Sequence, residues 1–472
     1  MTSITAKIGI RFTLVIASVA AGLAAFVVGG LSAAPSVYPT GTTVYQPDKA
    51  WNGFTVFIAP EEIGAIVVDM NGNPVKQWTG YHGGAGGPAR VLPGGHVLAG
   101  GPTRARHQES NALIQMDFDG NVVWQFDQTE HIETEDGESF WSARAHHDWQ
   151  REGSPAGYYA PGSEPLVDRG RTLVLAHQNL TQPKVSDKRL EDEYIIEVSW
   201  DGEILWEWHA SEHVDELGFS DEARAVIHRA PGFSEFRQSF DWIHMNSLSY
   251  VGPNHWYDDG DERFHPDNLI FSSRNSNIVG IIARSGDIVW KMGPDYRDSE
   301  ALTELGQIVA QHHPHIIPVG LPGAGNLLVF DNGGSAGYGF ANPVSPNGDS
   351  AVRRFNSRVV EINPVTFEKI WEYSVPGRES AKFFSQYISS AQRLENGNTL
   401  ITEGFDGRLF EVTADGEIVW EYVSPYFVQR EAPSNAVYRA YRLPYDWIPQ
   451  LERPVETAVV PPALEEFRVT SQ

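Results

Sequence analysis

The chain has 472 residues, a net charge of −26, no cysteine, 11% aromatic residues, 45 Gly and 14 Trp, which suits one large, turn-rich, repeat-built domain. The acid excess argues against nonspecific attraction to nucleic-acid phosphates or anionic lipid. The absence of thiols excludes disulfides, Cys-zinc centres and cysteine nucleophiles. A site for an anionic substrate would therefore need cations placed locally.

At the N-terminus, Lys7 and Arg11 precede "FTLVIASVAAGLAAFVVGGLSAA", the uncharged stretch at 12–34. Positive charge, an apolar run and then small residues form the pattern of an export signal. The run is also long enough to span a bilayer. Residues 1–35 are thus expected to be either a signal peptide or a membrane anchor of an exported protein, outside the folded domain.

From residue 65 onward one phrase recurs. It reads "AIVVDMNGNPVKQW" at 65–78, "ALIQMDFDGNVVWQF" at 112–126 and "YIIEVSWDGEILWEW" at 194–208. It returns as "NIVGIIARSGDIVWKM" at 277–292, "RVVEINPVTFEKIWEY" at 358–373 and "RLFEVTADGEIVWEY" at 408–422. Alternating apolar and polar residues, around a Gly-containing turn in most copies, predict a β-hairpin in each. A further hairpin precedes most copies, as in "RVLPGGHVLAGG" at 90–101. Four strands in each of six units predict an all-β fold, a six-bladed β-propeller over 45–450 with a C-terminal tail at 451–472. The recurrent tryptophans, such as Trp124, Trp206 and Trp290, are expected to anchor one blade on the next. Insertions at 153–170, 209–240, 252–266, 293–308 and 335–354 are expected to build or cover a site. The first unit lacks an inner strand, and "VYRAYRLP" at 437–444 is expected to supply it and close the ring.

Aligned by repeat, His147 in "AHHDWQ", His244 in "DWIHMNS" and His312 in "QHHPHI" begin the inner strands of three consecutive blades, with Gly87 and Ser389 at the equivalent place in two others. The next strand runs antiparallel, so its end returns to the same rim. That brings Arg274, at the end of "NLIFSSRN", and Asn332, near the end of "NLLVFDNG", to the same mouth. His146, His313 and His315 fall out of this alternation and are expected to support it from behind. Three imidazoles could bind a metal. A guanidinium beside them repels a cation and cradles an oxyanion, so transfer of an anionic group suits the set better and no metal is expected there. In such a transfer a neutral histidine attacks, Arg274 neutralises the oxygens, and another histidine protonates the leaving oxygen.

"DWIHMNS" at 241–247, "FSSRN" at 271–275 and "QHHPHIIP…GNLLVFDNG" at 311–333 resemble the bacterial arylsulfate sulfotransferases, and the resemblance covers most of the chain beyond about residue 50. That family consists of exported six-bladed propellers that move a sulfuryl group from an aryl sulfate to a phenol without the nucleotide donor PAPS. The resemblance implies a periplasmic enzyme with no cofactor and no metal, working by a ping-pong cycle on a small-molecule aryl sulfate donor and a phenol acceptor. It implies that His312 is the nucleophile that becomes a sulfohistidine. His244, Asn246 and Arg274 would be ligands of the sulfate oxygens, and His147 a further sulfate-binding or proton-transfer residue, with His146 the other candidate in "HHD". Tyr338, in "SAGYGF", could stack on the aryl ring, and Tyr438 and Arg439 would face the mouth once the ring closes. The chain departs from the family in lacking a cysteine pair and in the longer stretch between His244 and Arg274, which bears on acceptor choice. Other readings of the same pattern are a quinoprotein-like dehydrogenase, a noncatalytic propeller that binds an anionic ligand or partner, and a hydrolase using water as acceptor. Oligomeric state is not legible.

Overall fold

A computed structural model of the chain describes residues 39–461 apart from 61–62, 82–86, 103–108, 134–136, 138, 234–239, 340–344, 350–351 and 429–432. The apolar stretch at 12–34 lies outside the described residues. Among the described residues no helix is long and apolar enough to cross a membrane.

Six antiparallel sheets form the blades of the propeller. The repeated phrase supplies the third and fourth strands of each blade, and its turn chemistry is visible where it occurs. In blades 1 and 2 the N–H groups of Asn73 and Asn121 donate to the Oδ1 atoms of Asp69 and Asp117, each at 2.8 Å. Each turn also contains a glycine in the left-handed region, Gly72 at φ 83° and Gly120 at φ 88°.

The tryptophan at the end of the phrase joins blade to blade through one repeated bond. Its indole N–H donates to a backbone carbonyl in the outer hairpin turn of the next blade. The pairs are Trp78 to Asp117, Trp124 to Trp200, Trp206 to Arg284, Trp290 to Pro364 and Trp371 to Ala414, at 2.8–3.1 Å. The sixth, Trp420 to Met70 at 2.8 Å, crosses from the last blade to the first. Trp420 is fully buried, so Trp420→Phe removes the shorter of two bonds to the Met70 carbonyl at the ring closure and leaves it the Thr42 hydroxyl at 3.2 Å. We expect loss of that bond to lower the unfolding free energy by about 0.5–1.5 kcal/mol, read as a lower urea midpoint at unchanged slope.

The ring closes as the repeat count requires. Ala440–Leu443 pairs antiparallel with Phe54–Ala59 and becomes the inner strand of blade 1. Blade 6 gains a fifth, outermost strand, because Gly41–Tyr45 pairs with Ile418–Val423. Both ends of the described chain therefore latch the same seam.

Each inner strand runs from the mouth of the central channel towards its floor, and this sorts the insertions. Those at 209–240, 293–308 and 335–354 emerge on the mouth side. Those at 153–170 and 252–266 follow inner strands and emerge on the floor. The first of these plugs the channel. Tyr158 packs on Tyr441 with ring centroids 6.0 Å apart, and its hydroxyl lies 2.8 Å from His315 Nε2. Arg90 Nη1 donates to the Gly157 carbonyl at 2.7 Å. Above the plug, buried Asp148 takes both Arg90 and Arg439, the latter at 2.7 Å, with backbone N–H groups from Trp149 and Leu248 filling its remaining lone pairs. The channel is therefore closed from below, beneath the histidines.

Candidate active site

The strand registers show how the mouth is built. The first residue of each blade's second strand pairs with Leu443, Leu92, Arg151, Tyr250, Ile316 or Arg393 on the inner strand. Four residues before these stand Arg439, Pro88, His147, Asn246, His312 and Ser389. His147 and His312 are thus equivalent, but their partner in blade 4 is Asn246, and His244 sits two residues nearer the mouth. The repeat alignment missed this offset because the pairing of the first two strands slips only in the three histidine-bearing blades. The slips fall between Ala145 and Trp149, Met245 and Ser247, and His312 and His315. Such bulges re-aim side chains beside functional sites. They coincide with left-handed backbone at His147 (φ 57°), His244 (φ 50°) and His313 (φ 53°).

The second strands return to the rim as expected. Five residues after each strand begins come His177, Arg274 and Asn332 in blades 3 to 5, against Ala59, Gly101 and Gly404 in the others. His177 escaped the sequence reading, although "TLVLAH" ends at the same offset as "LIFSSR".

His147 and His244 meet edge to face, ring centroids 4.7 Å apart. His147 is close enough to His312 to feel its charge, and His312 in turn feels Arg274 and Arg439. The structure therefore gathers His147, His244, His312 and Arg274 at one mouth. Of the pair in "HHD", His147 faces His244, whereas His146 turns back into blade 3. His313 and His315 point down the channel to Tyr441 and Tyr158.

Asn332 sets the protonation of His312. Its Nδ2 donates to the carbonyls of Ser385 and Ile388, both at 2.7 Å, which leaves Oδ1 2.7 Å from His312 Nδ1. An amide oxygen only accepts, so Nδ1 carries the proton and Nε2 holds the lone pair. In the resting site the Ile388 N–H donates to that lone pair at 3.1 Å. Burial holds His312 well below the ordinary imidazole range, and nearby Arg274 and Arg439 act in the same direction. The Asn332 bond opposes them. Burial also pushes His147 well down, with His244, His146 and His312 adding to the shift. Both rings are neutral at neutral pH.

Behind His244, Asp241 contacts Nδ1 and also accepts the His244 N–H at 2.9 Å. Burial alone would raise this carboxyl, yet the His244 charge and hydrogen bond hold it far below its usual range. Arg274 is half-buried and partly desolvated, so burial lowers its pKa. Its guanidinium bonds Asn275 Oδ1 at 3.2 Å, and it has no ion pair with a carboxylate among the described residues. Arg439, by contrast, is ion-paired with Asp148, which it shares with Arg90.

Three of the expected ligands also bond within the protein. Asn246 gives one of its two amide N–H groups to the Gln311 carbonyl at 2.7 Å. Asn332 orients His312. Tyr338 packs against Phe219, its hydroxyl donates to the Trp242 carbonyl and accepts the Gly232 N–H at 3.0 Å, and its ring braces the mouth insertions.

Fold and site together define a six-bladed β-propeller whose mouth combines neutral imidazoles with a guanidinium that has no carboxylate ion pair among the described residues. The model of the arylsulfotransferase (ASST) family matches residues 164–424, more than half of the chain. The chain belongs to the arylsulfotransferase family, which makes it a sulfotransferase acting between a small-molecule donor and acceptor. No curated protein matches it. Among solved structures it is similar to a protein of unknown function from Bacteroides caccae, at 11% identity and TM-score 0.42, covering 83% of this chain and 98% of that one. It is also similar to a putative 6-phosphogluconolactonase from Bacteroides fragilis, at 8% identity and TM-score 0.35, covering 84% and 100%. A catalytically inactive virginiamycin B lyase from Staphylococcus aureus is similar at 12% identity and TM-score 0.31, covering 72% and 70%. These distant likenesses carry no functional argument.

Proposed function

We propose that the chain is a PAPS-independent aryl-sulfate sulfotransferase that works in two steps through a sulfohistidine on His312. In the first step the Nε2 lone pair attacks the sulfur of an aryl sulfate. The N–S bond forms as the ester S–O bond breaks, and the bonding pair leaves on the phenolic oxygen. His244, backed by Asp241, gives that oxygen its proton and recovers one from the second phenol. The second phenolic oxygen then attacks sulfur and returns the N–S pair to Nε2. Arg274 opposes the charge on the sulfuryl oxygens, and His147 donates a further hydrogen bond to them. The Ile388 N–H, released from the lone pair, lies where a sulfuryl oxygen would accept it.

The observation that carries this reading is the Arg274 guanidinium, which has no carboxylate ion pair among the described residues, at the same mouth as an imidazole of fixed tautomer. That ring has its lone pair on Nε2, where only the Ile388 N–H has to be released before attack. Its test is hydrolysis of a chromogenic aryl sulfate with and without added phenol. We expect slow release alone and acceptor-dependent release with phenol, with the sulfonate recovered on the acceptor. Release that ignores the acceptor would point to a hydrolase.

The depressed pKa of His312 sets the pH profile. Protonation removes the lone pair, and a lowered pKa keeps the ring neutral into more acidic solution. The acid limb of kcat/KM for the donor should therefore lie below the ordinary imidazole value of about 6.5. An acid limb centred on the ordinary value would rule out a buried, neutral His312 as nucleophile. Export, expected from residues 12–34, is checked by fractionating cells that express the full chain.

A further inference from the structure

Behind the mouth, three buried side chains of blade 3 aim polar atoms at one another. His146 lies in the bulge of the inner strand, and His177 and Glu193 pair directly across the second and third strands. Their ligand-capable atoms all lie within 4.8 Å of one another, and all three residues are fully buried. His146 Nε2, His177 Nε2 and Glu193 Oε2 each lack a hydrogen-bond partner among the described residues. His146 Nε2 and Glu193 Oε2 stand 3.3 Å apart but out of line for a hydrogen bond.

The remaining atoms of the same groups are engaged. His177 Nδ1 lies 2.9 Å from Glu109 Oε1, and Arg144 clamps Glu109 at 2.6 and 3.1 Å. A carboxylate accepts, so His177 donates from Nδ1 to Glu109. Burial alone would lower its pKa, yet Glu109, Glu193 and Asp241 hold it well above the ordinary imidazole range, so the metal-free ring carries a second proton on Nε2 that an ion would displace. Glu193 Oε1 accepts the Met245 N–H at 2.5 Å, and His146 Nδ1 lies 2.7 Å from His147 Nδ1. Among the described residues no lysine or arginine reaches Glu193, while Asp241 adds a second carboxylate 4.0 Å from His177 Nε2. Two carboxylates facing two imidazoles in a dry interior need positive charge between them, which protons on the rings or a bound cation supply.

We infer that this cluster is a divalent-metal site, best suited to zinc, held by His146 Nε2, His177 Nε2 and Glu193, with Asp241 as fourth ligand. Two imidazoles with carboxylates form a zinc-type donor set, and the Glu109–His177 bond is the outer support such ligands usually have. Bonds of 2.0–2.2 Å around a tetrahedral ion hold ligand atoms roughly 3.4 Å apart. Three of the six separations, at 3.3, 3.8 and 4.0 Å, lie within an ångström of that. Asp241 stands outside the trio whose atoms fall within 4.8 Å of one another and has to move in to complete the shell. The two imidazoles now stack with centroids 3.7 Å apart, so binding splays them. One consequence rests on the sulfotransferase reading. Metal on His146 Nε2 leaves its proton on Nδ1, donated to His147 Nδ1, so that His147 presents Nε2–H to the sulfuryl oxygens.

The test is zinc binding by the full chain after dialysis against a chelator, followed by metal analysis and thermal unfolding. We expect about one zinc per chain and a raised Tm. Glu109→Gln should weaken binding 10–100-fold while leaving the four ligands in place, and the pair His177→Gln with Glu193→Gln should abolish it. His312→Ala should keep its zinc whatever happens to transfer, so this inference and the sulfotransferase reading fail separately. If the double variant loses its fold, Glu109→Gln and cobalt absorption of the wild-type chain decide. A chelator-treated wild-type chain that takes up neither zinc nor cobalt stoichiometrically would overturn the site and leave protons on the imidazoles as the balance for the carboxylates. Undiminished binding by the double variant would overturn it as well.

Discussion

His312→Ala should fold, bind the donor, and lose acceptor-dependent phenol release by at least ~10³-fold, because the lost group makes and breaks the transferred bond. Residual release should no longer respond to phenol. Intact-mass measurement after a donor pulse without acceptor should show one added sulfonate on the wild-type chain and none on the variant. Sulfonate on both would move the covalent role to another histidine. Asn332→Ala probes the same bond indirectly. It removes the nearer of two acceptors of the His312 Nδ1 proton, leaving the Ala310 carbonyl at 3.1 Å, and frees the carbonyls of Ser385 and Ile388. Transfer should fall by about 10–100-fold, and the acid limb of the donor profile should move to still lower pH. The sign follows from the Asn332 bond, which favours the protonated ring and is the influence opposing burial. A merely structural Asn332 would lower the amount of folded enzyme and leave the limb where it was.

The ring was legible because its elements repeat. Six hairpins ending in an aromatic phrase predicted six blades, and the missing strand of the first unit predicted closure by residues 437–444, realised as Ala440–Leu443. The gathering of histidines was legible from strand direction alone. Their register was not, since bulges at the three histidine blades leave no mark in the alternation and moved His244 two places from the position of His147 and His312. His177 carried a usable signal, the same offset that singled out Arg274, but its strand lacks the flanking motif. Glu193 carried none. It lies on a third strand, where an acidic residue reads as solvent-facing until the fold buries it. Whether an insertion covers the mouth or plugs the floor follows from the connection it interrupts, which placed Tyr158 beneath His315 rather than over the site.

Arg274→Ala should separate function from stability in opposite directions. The guanidinium is half-buried, has no carboxylate ion pair among the described residues, and is held below its usual pKa chiefly by burial. Folding leaves it poorly solvated and only partly offset, chiefly by the charge of Asp241, until an anion arrives. Its removal should stabilise the empty enzyme by about 1 kcal/mol, seen as a higher urea midpoint, as when other strained functional groups are deleted. The same change should lower kcat by ~10²–10³, the usual cost of losing a preorganised partner for transition-state charge. Arg274→Lys keeps the charge but not the planar two-pronged donor set, so it should recover only part of the rate. Sulfate should raise the Tm of the wild-type chain and leave that of Arg274→Ala unchanged, because an anion that binds only the folded site stabilises it by mass action. An Arg274→Ala chain that is less stable, and still stabilised by sulfate, would mean that Arg274 braces the rim and that the anion sits elsewhere.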